Sequence, residues 1–325
     1  MLDSLKISNF RCFENLEISS LGRVNLIVGK NNTGKSTVLE AVHVLARNGA
    51  DDALSSILKD RHEFFSDAAD SSKEVSSADL WGKVRALNNN KEISIGNLQG
   101  TKIVGSEFTG EALFERVLRG EPMIDTTAPH AIIRTTLESE TKLAELWDEV
   151  YLNSEDQFLQ DALHILNPNI TSLMFVQRPD KSVGSDGMSR RVAVVKLKGE
   201  SKAISLKSMG EGISRLLQIF LHAFFARDGY LMIDEFENGL HYSIQEEVLE
   251  KLFKLAKELN IQVFMTTHSK DVIKAFSKVS LASPEEGRLI SLGRNEREPD
   301  KKTITALVYN EDDIKLIAET DMEVR

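Results

Sequence analysis

The chain has 325 residues, of which 41% are apolar and 28% charged, the balance of a water-soluble globule of one large or two medium domains. Its 40 Lys and Arg against 50 Asp and Glu leave a net charge of −10, which excludes a protein that coats nucleic acid by bulk charge; the single cysteine, Cys12, excludes an intrachain disulfide and a metal centre of several thiolates. The N-terminus lacks the basic and apolar runs of a secretory signal, and the most apolar stretch, 216–233, is broken by Gln218, His222, Arg227 and Asp228, so a cytoplasmic protein without a membrane span is expected.

In chain order, LKISNF and ENLEISS alternate and RVNLIVG is a short apolar run closed by Gly29, three strands in sequence. A helix is expected over about 34–48, with Val38, Leu39, Val42 and Leu45 on one stripe. The polar, acidic stretch 49–77 reads as a partly helical surface excursion. EISIGNL and TKIVGSEF read as a strand pair and HAIIRTTLES as another strand, TKLAELWDEV and DQFLQDALHIL as amphipathic helices, TSLMFVQ and RRVAVVKLKG as strands. The last third alternates a buried helix (GISRLLQIFLHAFFA), a strand (YLMIDEF), a helix (YSIQEEVLEKLFKLAKEL), a strand (IQVFMTTHS) and a helix (KDVIKAFSK), the pattern of an α/β protein with a parallel sheet. No repeat, heptad run or Pro/Gly linker divides the chain. A discontinuous core of 1–50 and 190–325 with an insertion at 51–189 is therefore expected.

The run Gly29-Lys30-Asn31-Asn32-Thr33-Gly34-Lys35-Ser36 fits G-x-x-x-x-G-K-[ST], between an apolar strand and an amphipathic helix. Its mechanism needs that context. The glycines let successive N–H groups curl around phosphates, and the helix N-terminus adds partial positive charge. Lys35 then reaches the β and γ phosphates, and the Ser36 hydroxyl ligates Mg2+.

Far down the chain, Tyr230-Leu-Met-Ile ends in Asp234 and Glu235. A buried strand rarely ends in two acids without a reason, because charge is costly to bury. In nucleotide sites the first acid holds Mg2+ and the second orients or deprotonates the attacking water. A second apolar strand ends in Thr266-Thr267-His268, which places His268 to donate to a γ-phosphate if its strand lies beside the phosphate loop. Ser208-Met-Gly210-Glu-Gly212, 26 residues before Asp234, forms a further anion cradle at a helix start.

Together these residues resemble an ABC-type P-loop ATPase of the SMC/RecF/OLD group. Gly29–Ser36 resembles Walker A, Leu231–Glu235 Walker B, Ser208–Gly212 the signature loop (SMGEG in place of LSGGQ), Glu237–His241 the D-loop and His268 the switch histidine. NFRCFENLEI and IDEFENGLHYSIQ are most similar to the ATPase half of OLD-like proteins, many of which serve bacterial anti-phage systems. A Q-loop glutamine is not placed; Gln99 and Gln177 are its candidates. The resemblance implies an ABC-type head with a mixed sheet and an inserted α/β-helical region. It also implies a head-to-tail homodimer, or a higher homo-oligomer, sandwiching ATP and Mg2+. Gly29, Asn31, Asn32, Thr33, Gly34, Lys35, Ser36 and the adjoining Thr37 would bind nucleotide from one copy, and Ser208, Gly210 and Gly212 from the other. Ser36 and Asp234 would hold Mg2+, with Glu235, His268 and Lys35 catalytic.

Full OLD proteins continue into a Toprim nuclease, whereas only 57 residues follow His268 here. The expected role is a conformational switch that controls a separate effector in trans, expected to be a nuclease, in anti-phage defence. The acidic cluster Glu311-Asp312-Asp313 reads as a solvated helix start. An alternative is a RecF/SMC-like ATPase of DNA repair, with DNA as a partner; Arg11 and the basic stretch 178–207, with eight basic and three acidic residues, would serve it. A scaffold that binds ATP without hydrolysis is the third reading, and an intact Glu235 argues against it.

Overall fold

The computed structural model describes residues 1–61, 63, 83–84, 93–99, 102–105, 127–152, 163–164, 167–177, 191–283, 285–294 and 303–319. Most of the helix expected at 156–166 and most of the excursion beyond Asp60 lie outside these residues, as does the 178–190 part of the basic stretch.

Among the described residues the strands form three sheets. The first is antiparallel: β1 (Leu5–Phe10) pairs with β2 (Phe13–Ile18) and with β4 (Ile93–Gly96), which pairs with β5 (Lys102–Gly105). The central sheet has the order β13-β12-β3-β11-β10-β6. Here β3 is Val24–Gly29, β6 His130–Ile133, β10 Tyr230–Ile233, β11 Gln262–Thr266, β12 Gly287–Arg294 and β13 Ile304–Val308. All its pairs are parallel except β12 with β13, so the sheet is mixed. The third sheet is the antiparallel set β7 (Ile170–Gln177), β8 (Arg191–Leu197) and β9 (Ile204–Ser205).

Strands from the stretch 51–189 join the first and the central of these sheets. β4 and β5 extend the first sheet, and β6 is the edge of the central sheet, beside β10. Register explains why a four-residue strand suffices there: Tyr230 to Ile233 each pair with His130 to Ile133 in turn.

The α-helices among the described residues include α1 (Lys35–Ala46), α2 (Asp51–Asp60), α3 (Glu140–Leu152), α4 (Glu211–Phe225), α5 (Tyr242–Glu258), α6 (Lys270–Ala282) and α7 (Glu311–Glu319). The inner strands β3, β11 and β10 of the central sheet are buried on both faces. Leu231, Ile233, Val263 and Met265 join a core with α4, α5 and α6. Their alternates Met232 and Phe264 join a second core with α1 and the first sheet. Parallel strands so enclosed place the C-terminal ends of β3, β10 and β11 at one edge, with the starts of α1 and α4 at that same edge. The acidic residues 311–313 form the first turn of α7, and no group of acids, His or Cys suited to a metal ion occurs among the described residues. Among the same residues no helix is long and apolar enough to cross a membrane.

One contact ties α1 to β6. His43 packs its ring 5.0 Å from that of His130 and is buried, with neither ring nitrogen hydrogen-bonded. Burial, aided by the charges of His130, Arg134 and Arg47, pushes its imidazole down from 6.5 to about 4. The folded protein therefore keeps the ring neutral where the unfolded chain takes up a proton. The corresponding stability is present above pH 6.5 and lost as the pH falls toward 4. Urea denaturation of the wild type across this window should show a loss on the order of 2–3 kcal/mol that His43→Leu does not show. Equal pH slopes in both proteins would assign the loss to other groups.

Candidate functional site

The phosphate-loop motif forms a turn between β3 and α1. Asn32 (φ 60°) and Gly34 (φ 85°) adopt left-handed conformations, and α1 begins at Lys35. Gly34 has a second constraint: a Cβ there would lie 2.5 Å from the Phe13 ring and 2.7 Å from Cys12 Sγ. The hairpin between β1 and β2 thus packs directly on the loop. Thr33 Oγ1 donates to Lys30 O at 2.8 Å. The buried Lys35 ammonium donates to the carbonyls of Gly29 (2.9 Å) and Lys30 (3.0 Å), inside the curl of its own loop.

Opposite lies the end of β10. Ser36 Oγ donates to Asp234 Oδ1 at 3.0 Å, and Thr266 Oγ1, from the end of β11, donates to the same oxygen at 2.6 Å. Thr266 Oγ1 in turn accepts the Glu235 N–H at 2.9 Å. Glu235 sits in the left-handed region, φ 48°, a conformation that persists only when neighbours enforce it. From α4, the buried Arg215 enforces it further, donating to the carbonyls of Arg134 (2.6 Å), Asp234 (2.9 Å) and Glu235 (3.4 Å). Glu237 then ties this turn to the next strand end. Its carboxylate accepts Thr267 Oγ1 at 2.7 Å and the His268 N–H at 2.8 Å.

These parts enclose a cleft of about 980 Å3. Asn31, Asn32, Gly34, Lys35, Ser36 and Thr37 line it together with Asp234, Glu235 and His268, so residues from the two ends of the sequence meet. Gly29 and Thr33 shape the loop from behind and do not line the cleft. Ser208, Gly210 and Gly212 do not line it either. Ser208 and Gly210 are exposed at the start of α4, while Gly212 faces the chain's own turn: a Cβ there would lie 2.5 Å from Gly239 O. Neither Gln99 nor Gln177 reaches the cleft.

Several lining residues are not among those expected from the motifs: Arg134, Thr135 and Thr136, which follow β6, and Arg61, which follows α2. The cue to the first group is a strand ending in paired threonines, as β11 does. Arg11 also lines the cleft, paired with Glu40 at 2.8 Å and Glu63 at 2.9 Å. Arg61 pairs with the other Glu40 oxygen at 2.6 Å, and Arg134 pairs with Asp60. Burial raises the Glu40 carboxyl above its ordinary value despite both arginines.

Comparison with known proteins gives a consistent picture. Residues 1–99 match the "AAA ATPase domain" family, and residues 115–273 the family described as "AAA domain, putative AbiEii toxin, Type IV TA system". The chain is 23% identical over 338 residues to an ATP/GTP phosphatase of Helicobacter pylori, covering 86% of this chain and 88% of the relative. It is 30% identical over 104 residues to the DNA replication and repair protein RecF of Pseudoalteromonas atlantica, 31% of this chain and 28% of RecF. Among solved structures, an Smc head bound to the C-winged helix domain of ScpA superposes with a TM-score of 0.50 at 12% identity, over 96% of this chain and 99% of that one. The mixed α/β architecture is that of an SMC head.

Thr266 holds both acids at once. Thr266→Val keeps the shape and removes both hydrogen bonds. Phosphate release should fall roughly 10–100-fold, with nucleotide affinity by calorimetry changed far less. Unchanged turnover would show that Asp234 and Glu235 keep their places without it.

Proposed function

We infer that this chain, which belongs to the SMC/RecF-like ABC-type P-loop ATPases, is a Mg2+-dependent ATPase whose sites are completed only when two copies meet. The Ser36–Asp234 contact at 3.0 Å carries the most weight. It places a hydroxyl and a carboxylate, the hard oxygen donors that suit Mg2+, at the mouth of a phosphate loop. Ser36 and Asp234 would hold the ion, which when bound neutralises charge on the β and γ phosphates.

The remaining roles follow from position. Lys35 leaves the Gly29 and Lys30 carbonyls for the β and γ phosphates. Glu235 orients a water and accepts its proton as the water oxygen attacks the γ-phosphorus. The bond from that phosphorus to the β–γ bridging oxygen breaks, and ADP leaves. His268 donates to the γ-phosphate. Ser208 and Gly210, exposed and away from their own cleft, serve the site of a second copy, which supports a head-to-tail homodimer.

The pairing of such a switch with a separate effector, a nuclease, in bacterial anti-phage defence is the setting we favour, on the likeness to a family described with a putative AbiEii toxin. A RecF-like role, with DNA held on the ATP-closed dimer, is the second reading, favoured by the 30% identity to RecF over 104 residues. ATP-dependent, salt-sensitive binding of duplex DNA by the purified protein would select the second.

Glu235→Gln keeps volume and removes the base. ATP should still bind, and hydrolysis should fall by 10²-fold or more, leaving a long-lived dimer in size-exclusion chromatography with ATP. Wild-type phosphate release would transfer the base role to another group.

Composite sites also allow two inactive chains to rescue each other. Lys35→Ala disables the phosphate loop. Ser208→Glu brings a negative charge against the partner's γ-phosphate and avoids Gly210, whose φ of 104° strains any other residue. With random pairing half the dimers are mixed, and each mixed dimer has one intact site, about a quarter of all sites. Phosphate release should recover to about a quarter of wild type in the unsorted co-expressed protein and to about half in the isolated, doubly tagged dimers. No recovery in a stable mixed dimer would place each site within one chain.

A further inference from the structure

Every contact described so far fixes the backbone of Glu235, and none of them aims its carboxylate. One side chain does. Asn238 Nδ2 donates to Glu235 Oε2 at 3.0 Å. The same amide nitrogen also lies 3.4 Å from Thr135 O, in the segment after β6 that lines the cleft. A primary amide has two N–H donors, and both acceptors here are oxygens. This fixes the amide's orientation, because the flipped form would set its own oxygen against two others.

The turn makes the contact close. Asn238 N donates to Glu235 O at 3.1 Å, so residues 235–238 close on themselves and return the side chain of the fourth residue to that of the first. Oε2 of the carboxylate is thus held from within its own turn. This segment resembles the D-loop, and here Asn238 contacts Glu235 within its own chain.

We propose that Asn238 is a positioning residue for hydrolysis: it aims the Glu235 carboxylate at the water and links that aim to the cleft wall at Thr135. The proposal rests on Glu235 being the base. An asparagine retained only to close the turn would serve folding and leave the carboxylate free to rotate. The two roles separate in kinetics, since aim affects the chemical step and not nucleotide affinity.

The test uses the full chain with ATP and Mg2+. Asn238→Asp is isosteric, replaces the donor with an acceptor and repels Glu235; Asn238→Ala removes the contact. Each should lower single-turnover kcat by roughly 10–100-fold, the Asp variant more, with nucleotide affinity within about two-fold of wild type and an unchanged Tm. In a Glu235→Gln background the same changes should have little further effect, because the two residues act as one unit. Wild-type kcat in both Asn238 variants while Glu235→Gln is inactive overturns the role of Asn238 and leaves Glu235 as base. Equal loss of affinity and kcat, or a full additional loss in the Glu235→Gln background, also overturns it. Wild-type turnover in Glu235→Gln overturns the base itself, and Asn238 with it.

Discussion

A single carboxylate oxygen joins the parts of this molecule that matter for its chemistry. Asp234 Oδ1 accepts from Ser36, 198 residues earlier, and from Thr266, 32 residues later. Those three residues close β10, open α1 and close β11. Their meeting depends on β3, β11 and β10 lying side by side and parallel, which puts three C-terminal strand ends at one edge. Hydroxyl donors suit this place. They satisfy the acid while it has no other partner, and they can rotate away when an ion or phosphate presents itself.

Around that point the cleft is walled by charge pairs and not by apolar packing. Arg11 and Arg61 clasp Glu40 from two sides, and Arg134 pairs with Asp60. Through these pairs α2 is held to α1 and to the segment after β6. The Glu40–Arg11 pair is buried, and there an unpaired charge would be far more costly than any gain from the pair, while Arg61 and the Arg134–Asp60 pair are partly open to solvent. A polyphosphate entering the cleft meets arginines whose anions are already in place. It therefore competes for them and does not simply add to them.

Much of the site was legible in the residues because its chemistry is carried by short motifs in fixed local settings. A glycine-rich turn needs a strand before it and a helix after it, and paired acids at the end of an apolar run need a reason to be there. Gly29–Ser36, Asp234–Glu235 and His268 each announce themselves in this way. β6 is legible as a strand in HAIIRTTLES, but its place in the sheet is not, because that is set by pairing with residues 100 positions away. Arg134–Thr136 reach the cleft through that placement, with their paired threonines the one cue to it. Arg215 is a different case. A lone arginine in an apolar helix looks like a surface residue, yet it is buried, and only the carbonyls gathered at the end of β10 explain it.

The contact between Gly212 and the Gly239 carbonyl sets where this chain can grow and where it cannot. α4 runs 15 residues, roughly 22 Å, away from the cleft edge, and β10 returns along it, so the start of the helix and the end of the strand stand side by side. Adding one residue within the first turn of α4 would rotate Arg215 by about 100° off its carbonyls. The span from Ser208 to Glu237 therefore behaves as a piece of fixed length. The distance from the exposed loop at Ser208 to the acids is held by these backbone contacts, so a change of length anywhere along the span would have to rebuild the Arg215 contacts as well.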